Sequence, residues 1–256
     1  MATALFENVI FGPIRSRRLG ISLGINLLSL DQKLCNFECI YCECGWKGNG
    51  KKSFNPKDEV ISQLCEKLQQ MHSAGEHLDV MTFAGNGEPT THPDFPEIIT
   101  ATCQVRDKYF PEAKIAVLSN ATMIDRPKIR EALLKVDDNI LKLDSAFDKT
   151  VQLINQPFNG YSVARTVEMM KEFKGKMILQ TMFLRGTYDG NVVDNTTETE
   201  VAAWLDLVKV IAPQKVMIYT IDRDTPADDL HKVSVEDLKQ IAHRVEALGI
   251  ECSVAG

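Results

Sequence analysis

"ISLGINLLSLDQKLCNFECIYCECG", Ile21 to Gly45, joins a strand-like run to a crowd of thiols. Ile21, Leu23, Ile25 and Leu27 recur at every second position, the period of a β-strand. Directly downstream stand Cys35, Cys39, Cys42 and Cys44, four of the chain's seven cysteines, with an aromatic residue inside each of the first two gaps. A strand that opens into a chemically loaded loop is the pattern of an α/β sheet, whose ligands gather at the carboxyl ends of its strands.

The rest of the chain repeats the unit. Asn55-Pro56 reads as an N-cap and first helical residue ahead of Ile61, Leu64, Leu68 and Met71 at helical spacing. "LDVMTFAG" (78–85) is a second strand, followed by a helix from about Asp94 to Arg106. "KIAVLSN" (114–120) precedes a helix through "RPKIREALLKV", and "NILKLDSA" (139–146) precedes a helix capped by Ser162. "KMILQTMFL" (176–184) leads to a capping box at Thr197 and Glu200, ahead of Val201, Trp204, Val208 and Ile211. "KVMIYTI" (215–221) leads to a last helix that Ser234 opens and Gly249 ends. Such alternation predicts a parallel sheet, doubly wound or curled into a barrel. In either case the cysteine loop, "GNGEPT", "SNAT", "DSAF", "LRGTYDG" and "TIDRDTP" meet on one face.

Composition bounds the function. The chain has 256 residues, of which 44% are hydrophobic and 25% charged, enough for one sizeable core. No apolar run approaches the roughly 18 residues that span a bilayer, and no basic segment followed by an apolar core marks a secretory signal. The expected compartment is the cytoplasm, where thiols stay reduced and clustered cysteines bind metal or react. A net charge of −6 weighs mildly against a nucleic-acid partner, and the substrate stays open among a small molecule, RNA and protein. "RSRR" (15–18) and "KKSFNPK" (51–57) are local basic islands.

Cys35, Cys39 and Cys42 are spaced C-x3-C-x2-C, while Cys65, Cys103 and Cys252 are isolated. Structural zinc wants four ligands, in two separated pairs in zinc fingers, and no second pair exists. Cys44 is an alternative fourth ligand, although a single residue between it and Cys42 strains the loop. If three cysteines hold an iron–sulfur cube, one iron is left without a protein ligand, the mark of a catalytic rather than a closed centre.

C-x3-C-x2-C with Tyr41 before the last cysteine resembles the signature of the radical S-adenosylmethionine (radical SAM) superfamily. The resemblance implies a [4Fe-4S] cluster on Cys35, Cys39 and Cys42. Its open iron chelates SAM, and reductive cleavage yields a 5′-deoxyadenosyl radical that abstracts hydrogen from a substrate. It also implies a partial (β/α)6 TIM-like barrel of parallel strands, with the cluster loop after strand one and the whole of 1–256 as one domain, residues 1–20 leading into it. Gly85-Asn86-Gly87-Glu88-Pro89 resembles the family's GGEP motif with Asn86 in place of the first glycine. Glu88 then accepts a hydrogen bond from the methionyl ammonium. Ser119, Asn120, Asp144, Gln180, Tyr219 and Thr220 resemble the polar strand ends that contact the rest of SAM.

"FGPIRSRRLGISLGINLL" (11–28) together with "GNGEPTTHPDF" (85–95) narrows the likeness to the radical SAM proteins related to the wybutosine-synthesising enzyme. Those synthases carry a second cluster on three further cysteines. No second group of three exists here, so the cluster and SAM chemistry carry over and the tRNA reaction does not. A flavodoxin or ferredoxin is the electron donor the family implies. Two alternatives stay open: an activating enzyme that installs a glycyl radical on a protein, and a non-enzymatic iron–sulfur or zinc protein closed by Cys44. Arg17 and Arg18 are expected to pin the chain locally or to grip a substrate anion. His92 is expected to pack against the barrel top and bond a backbone carbonyl.

Overall fold

The computed structural model describes residues 5–16, 18–50, 53–158 and 160–256; Arg17 lies outside them. Strands and helices follow in the order β1 (Ile10–Ser16), β2 (Gly20–Ile25), α1 (Lys57–Ser73), β3 (Val80–Phe83), α2 (Phe95–Tyr109), β4 (Lys114–Ser119) and α3 (Pro127–Leu133). Then come β5 (Asp138–Lys142), α4 (Asp148–Ile154), α5 (Val163–Lys171), β6 (Ile178–Met182), β7 (Leu184–Tyr188), β8 (Asn191–Asp194) and α6 (Glu198–Ile211). β9 (Lys215–Tyr219), β10 (Leu230–Lys232), α7 (Val235–Glu246) and β11 (Glu251–Ala255) complete the chain.

β2, β3, β4, β5, β6 and β9 are the six expected strands, parallel neighbours in that order, and the sheet curls into an incomplete barrel. Both faces of these strands are buried, which is why they read as near-continuous apolar runs. Leu23, Met81, Val117, Leu141, Leu179 and Val216 face the helices, and Val80, Ala116, Ile140, Ile178 and Met217 plug the interior at the strands' amino-terminal ends. α1 turns Val60, Leu64, Leu68 and Met71 to the sheet, with Val60 rather than Ile61 in the stripe.

Several features differ from the sequence reading, among them an extra helix, α4, before α5 and a Ser162 that stands at the α5 N-cap without accepting a side-chain bond. β1 pairs antiparallel with β2 and forms one edge of the sheet; β11 pairs parallel with β9 and forms the other. The loops after β6 and β9 are not irregular: β7, β8 and β10 form a three-stranded antiparallel sheet in the order β10-β7-β8. Asn55 does not cap α1, because its amide is used to donate to the carbonyls of Asn26 and Leu28. The Thr197 and Ser234 caps do form, accepting from the amides of Glu200 and Asp237.

Candidate active site

The cysteine loop is held from both sides. On one side Leu34 donates to the Asn86 carbonyl (2.7 Å) and Glu88 donates back to the Leu34 carbonyl (2.9 Å), so the 85–89 turn lies against the loop as a short parallel bridge. On the other, Glu38 and Ile40 donate to the carbonyls of Asn155 and Ile154 at the end of α4, both at 2.9 Å. Phe37 and Ile40 bury themselves against Ile154, Met182, Leu184 and Val193, so the small sheet serves as backing for the loop. Lys33 crosses it, donating to the Gly45 carbonyl at 2.8 Å.

The loop opens onto a cavity of about 730 Å³ at the carboxyl ends of the strands. Cys35, Cys39, Tyr41 and Cys42 line it, as do Gly85, Gly87, Glu88, Ser119, Asn120, Gln180 and Tyr219. Among the described residues, no three Cys, His, Asp or Glu side chains converge tightly enough to bind one ion directly, and Cys35, Cys39, Cys42 and Cys44 all line a shared space instead. Asn120 Nδ2 stands 3.6 Å from Cys35 Sγ, and Asn155 Nδ2 stands 3.3 Å from Cys39 Sγ.

Glu88 is 2% exposed. Burial raises its pKa, and bonds from Asn120, Thr90 and Ser119 oppose that rise. Oε1 accepts from the Thr90 amide (3.1 Å) and the Ser119 hydroxyl (2.9 Å), and Oε2 from the Asn120 amide (2.6 Å). This leaves Oε2 with accepting capacity toward the cavity that Glu88 lines.

Burial pushes the Cys35 thiol up to about 12 and the Cys39 thiol up to about 11, with Glu88 and Cys42 respectively adding to the effect. Cys42 moves the other way, because Cys44 donates to its sulfur and Lys33 stands beside it. The same shared proton pushes Cys44 up. Lys33 is burdened by its own burial, yet the sulfurs of Cys42, Cys35 and Cys39 together raise it, keeping it a cation among thiols. Metal binding must therefore displace protons chiefly from Cys35 and Cys39. In metal-free protein at pH 7, iodoacetamide is expected to label Cys42 before the other two, since the thiolate is the nucleophile; peptide mass mapping over time checks the order.

Three expected site residues do not reach the cavity. Thr220 faces away, its hydroxyl accepting from the Val233 amide at 2.8 Å, because neighbouring residues of a strand end point to opposite faces and Tyr219 takes the inner one. Asn86 is buried behind the turn, exchanging bonds with the backbone of Phe6 (2.8 and 2.9 Å) and donating to Ser29 (2.8 Å). Asp144 stands behind Tyr41: Oδ2 accepts from the Tyr41 hydroxyl and from Asn155 Nδ2, while Oδ1 accepts from the Met182 amide at 2.9 Å. It orients Tyr41. His92 is buried, its Nε2 donating to the Asn55 carbonyl at 2.9 Å.

Three polar residues escaped the sequence reading. Lys142 projects inward from the end of β5, donates to the Tyr219 hydroxyl at 2.7 Å and lies 3.6 Å from Asp144. Its burial opposes the charge, but Asp144 and Tyr219 prevail and its pKa is raised. The signal was present: Ile140, Lys142 and Asp144 alternate on one face, with Leu141 and Leu143 on the other. Lys33, just before Cys35, was equally legible. Asn155, far from any motif, carried no signal. Arg18 is not merely a local pin; its guanidinium lies over the Tyr219 ring, 4.5 Å from the centroid.

An incomplete barrel with its ligand cavity at the strand carboxyl ends, and Cys35, Cys39, Cys42 and Cys44 on that cavity, is the architecture of a cofactor-binding enzyme. The sequence model of the radical SAM superfamily matches residues 30–199, and the chain belongs to that superfamily. It is an enzyme whose cofactors are a [4Fe-4S] cluster and SAM, and the donor set fits them. A protein of Helicobacter pylori described only as a UPF0026 protein is 30% identical over 84% of this chain and 67% of its own length. "GTPase Obg" of Brachyspira hyodysenteriae is 29% identical over 96% of this chain, which spans only 34% of that protein. A radical SAM methyltransferase from Sphaerobacter thermophilus shares the fold, with a TM-score of 0.67 at 16% identity over 91% of this chain and 65% of the other.

Proposed function

We propose that Cys35, Cys39 and Cys42 hold the cluster, that SAM lies across the cavity towards Glu88, and that residues 1–256 act as one catalytic domain. When bound, the two cofactors supply one-electron cleavage of the sulfonium and, with it, hydrogen abstraction from a substrate. What the protein itself contributes is binding, orientation and shielding. Glu88 Oε2 accepts from the methionyl ammonium. Asn120 and Ser119 hold Glu88 in place and line the same wall. Tyr41, clamped by Asp144 and Asn155, packs beside the thiols and fixes the loop. The apolar plug of Val80, Ala116, Ile140, Ile178 and Met217 keeps water from entering through the barrel floor.

The observation that supports this best is the convergence of three thiols and a buried, multiply bonded glutamate on one cavity. No helix among the described residues is long and apolar enough to cross a membrane, and we place the reaction in the cytoplasm with a flavodoxin- or ferredoxin-type donor. Anaerobic reconstitution with iron and sulfide tests the proposal. Added SAM should change the EPR spectrum of the reduced cluster, and dithionite should then release 5′-deoxyadenosine. A reduced centre whose spectrum ignores SAM and which yields no 5′-deoxyadenosine sinks it.

A further inference from the structure

The reaction reading leaves part of the cavity unused. Arg18, Leu19, Lys142, Gln180 and Tyr219 line it together, and Leu19 packs on the plug residues. Arg18 enters from the turn between β1 and β2, and its Nη1 is buried with no hydrogen-bond partner. Among the described residues its guanidinium makes no ion pair either; what it touches is the face of Tyr219. Gln180 is 5% exposed, and its Nε2 also lacks a partner. Lys142 stands 5.0 Å from the same Tyr219 ring centroid. Buried donors in native proteins are nearly always satisfied, so two orphans beside one ammonium on a single cavity wall call for an acceptor from outside.

The geometry points to an oxyanion pocket: Arg18, Lys142 and Gln180 receive the carboxylate or phosphate of a small substrate against the Tyr219 wall of the cavity. The inference rests on the reaction proposed above and names the chemical class of its substrate. Guanidinium and amide hydrogens together suit a group with two or more oxygens. An acidic chain that keeps an unpaired guanidinium inside its cavity selects for negative charge there, whatever the sign of its surface.

The same donors could instead bind the carboxylate of SAM itself, and the test separates the two. Acetate, succinate and inorganic phosphate are titrated calorimetrically into reconstituted, anaerobic protein already saturated with SAM. At least one probe should bind with SAM present, and Arg18→Gln and Lys142→Gln should each weaken it about tenfold or more, the loss of one charge-assisted bond. Arg18→Lys, which keeps the charge but loses the fork, should lose less than Arg18→Gln, and circular dichroism shows whether each variant is folded. A probe that SAM displaces, or an Arg18→Gln protein that binds SAM more weakly, overturns the pocket by assigning these donors to the cofactor. Protein that binds SAM yet ignores every probe also overturns it. Protein that fails to bind SAM overturns the reading beneath it.

Discussion

Alanine at Cys35, Cys39 or Cys42 is expected to abolish cluster assembly, whereas Cys44→Ala leaves it intact. Removing one of three thiolates strands a second iron without a protein ligand, and a cube held at two corners is lost to solvent. Iron and labile sulfide should fall to background, and the visible sulfur-to-iron absorbance should vanish. The Cys44 thiol stands 3.4 Å from the Gly85 carbonyl and beside the Cys42 sulfur, so it reaches the site as a hydrogen-bond donor. A donor to a ligand sulfur tunes a cluster's potential without holding it. In Cys44→Ala the iron content should therefore match the parent, and the midpoint potential should move negative as the thiolate loses its donor. Loss of iron in Cys44→Ala to the same degree as in Cys42→Ala would mean four sulfurs closing the centre, and the open-iron reading would fall.

The contrast between those cysteines shows how far sequence reaches. Spacing singled out the cysteine loop because three donors within eight residues meet wherever the loop folds, and the structure puts that loop on the cavity. The six parallel strands were legible for a similar reason, since burial on both faces writes an unbroken apolar run. β1 was not, because its Gly-Pro pair and mixed burial mark an edge strand that leaves no such run. β11 failed differently: "ECSVA" is short and only half-buried, so its pairing with β9 depends on α7 returning the chain to the sheet edge. Around the site, the face of a residue decided the outcome. Tyr219 and Thr220 are equally polar neighbours at a strand end, yet only one can point inward. Lys142 and Asp144 lie on the inner face by the same alternation, and the approach of Tyr41 from the cysteine loop is what screens Asp144 from the cavity. Asn155 joins the site through the fold of α4 onto the loop, a contact separated from Cys39 by 116 positions, and no local pattern encodes it.

Gly87→Ala is expected to unseat the cysteine loop from the GNGEP turn. Gly87 has φ of +140°, and a β-carbon there would lie 1.8 Å from the Leu34 carbonyl oxygen and 2.3 Å from its carbon. Those are backbone atoms, so no side-chain rotation relieves the clash; the loop, the turn or both must move by more than an ångström. Strain at a left-sided backbone costs about 1–3 kcal/mol, and overpacking of this kind adds about 1–3 kcal/mol. For a chain of this size the sum corresponds to a fall in Tm on the order of 10 °C. The functional loss should be larger than the loss of stability. The Leu34–Gly87 bridge places Cys35 on one strand of contact and Glu88 on the other, and its opening separates the thiols from the carboxylate. Variant protein assayed well below its own Tm should consequently keep its helical circular dichroism but lose SAM binding by about a hundredfold, the sum of two charge-assisted contacts. Comparison with Gly75→Ala calibrates the result, because Gly75 is also left-handed, at +68°, yet has nothing within 4 Å of its would-be β-carbon. Gly75→Ala should show the backbone cost alone, with SAM affinity unchanged. Equal stability and equal SAM affinity in the two variants would mean that the close approach of turn and loop does not build the site.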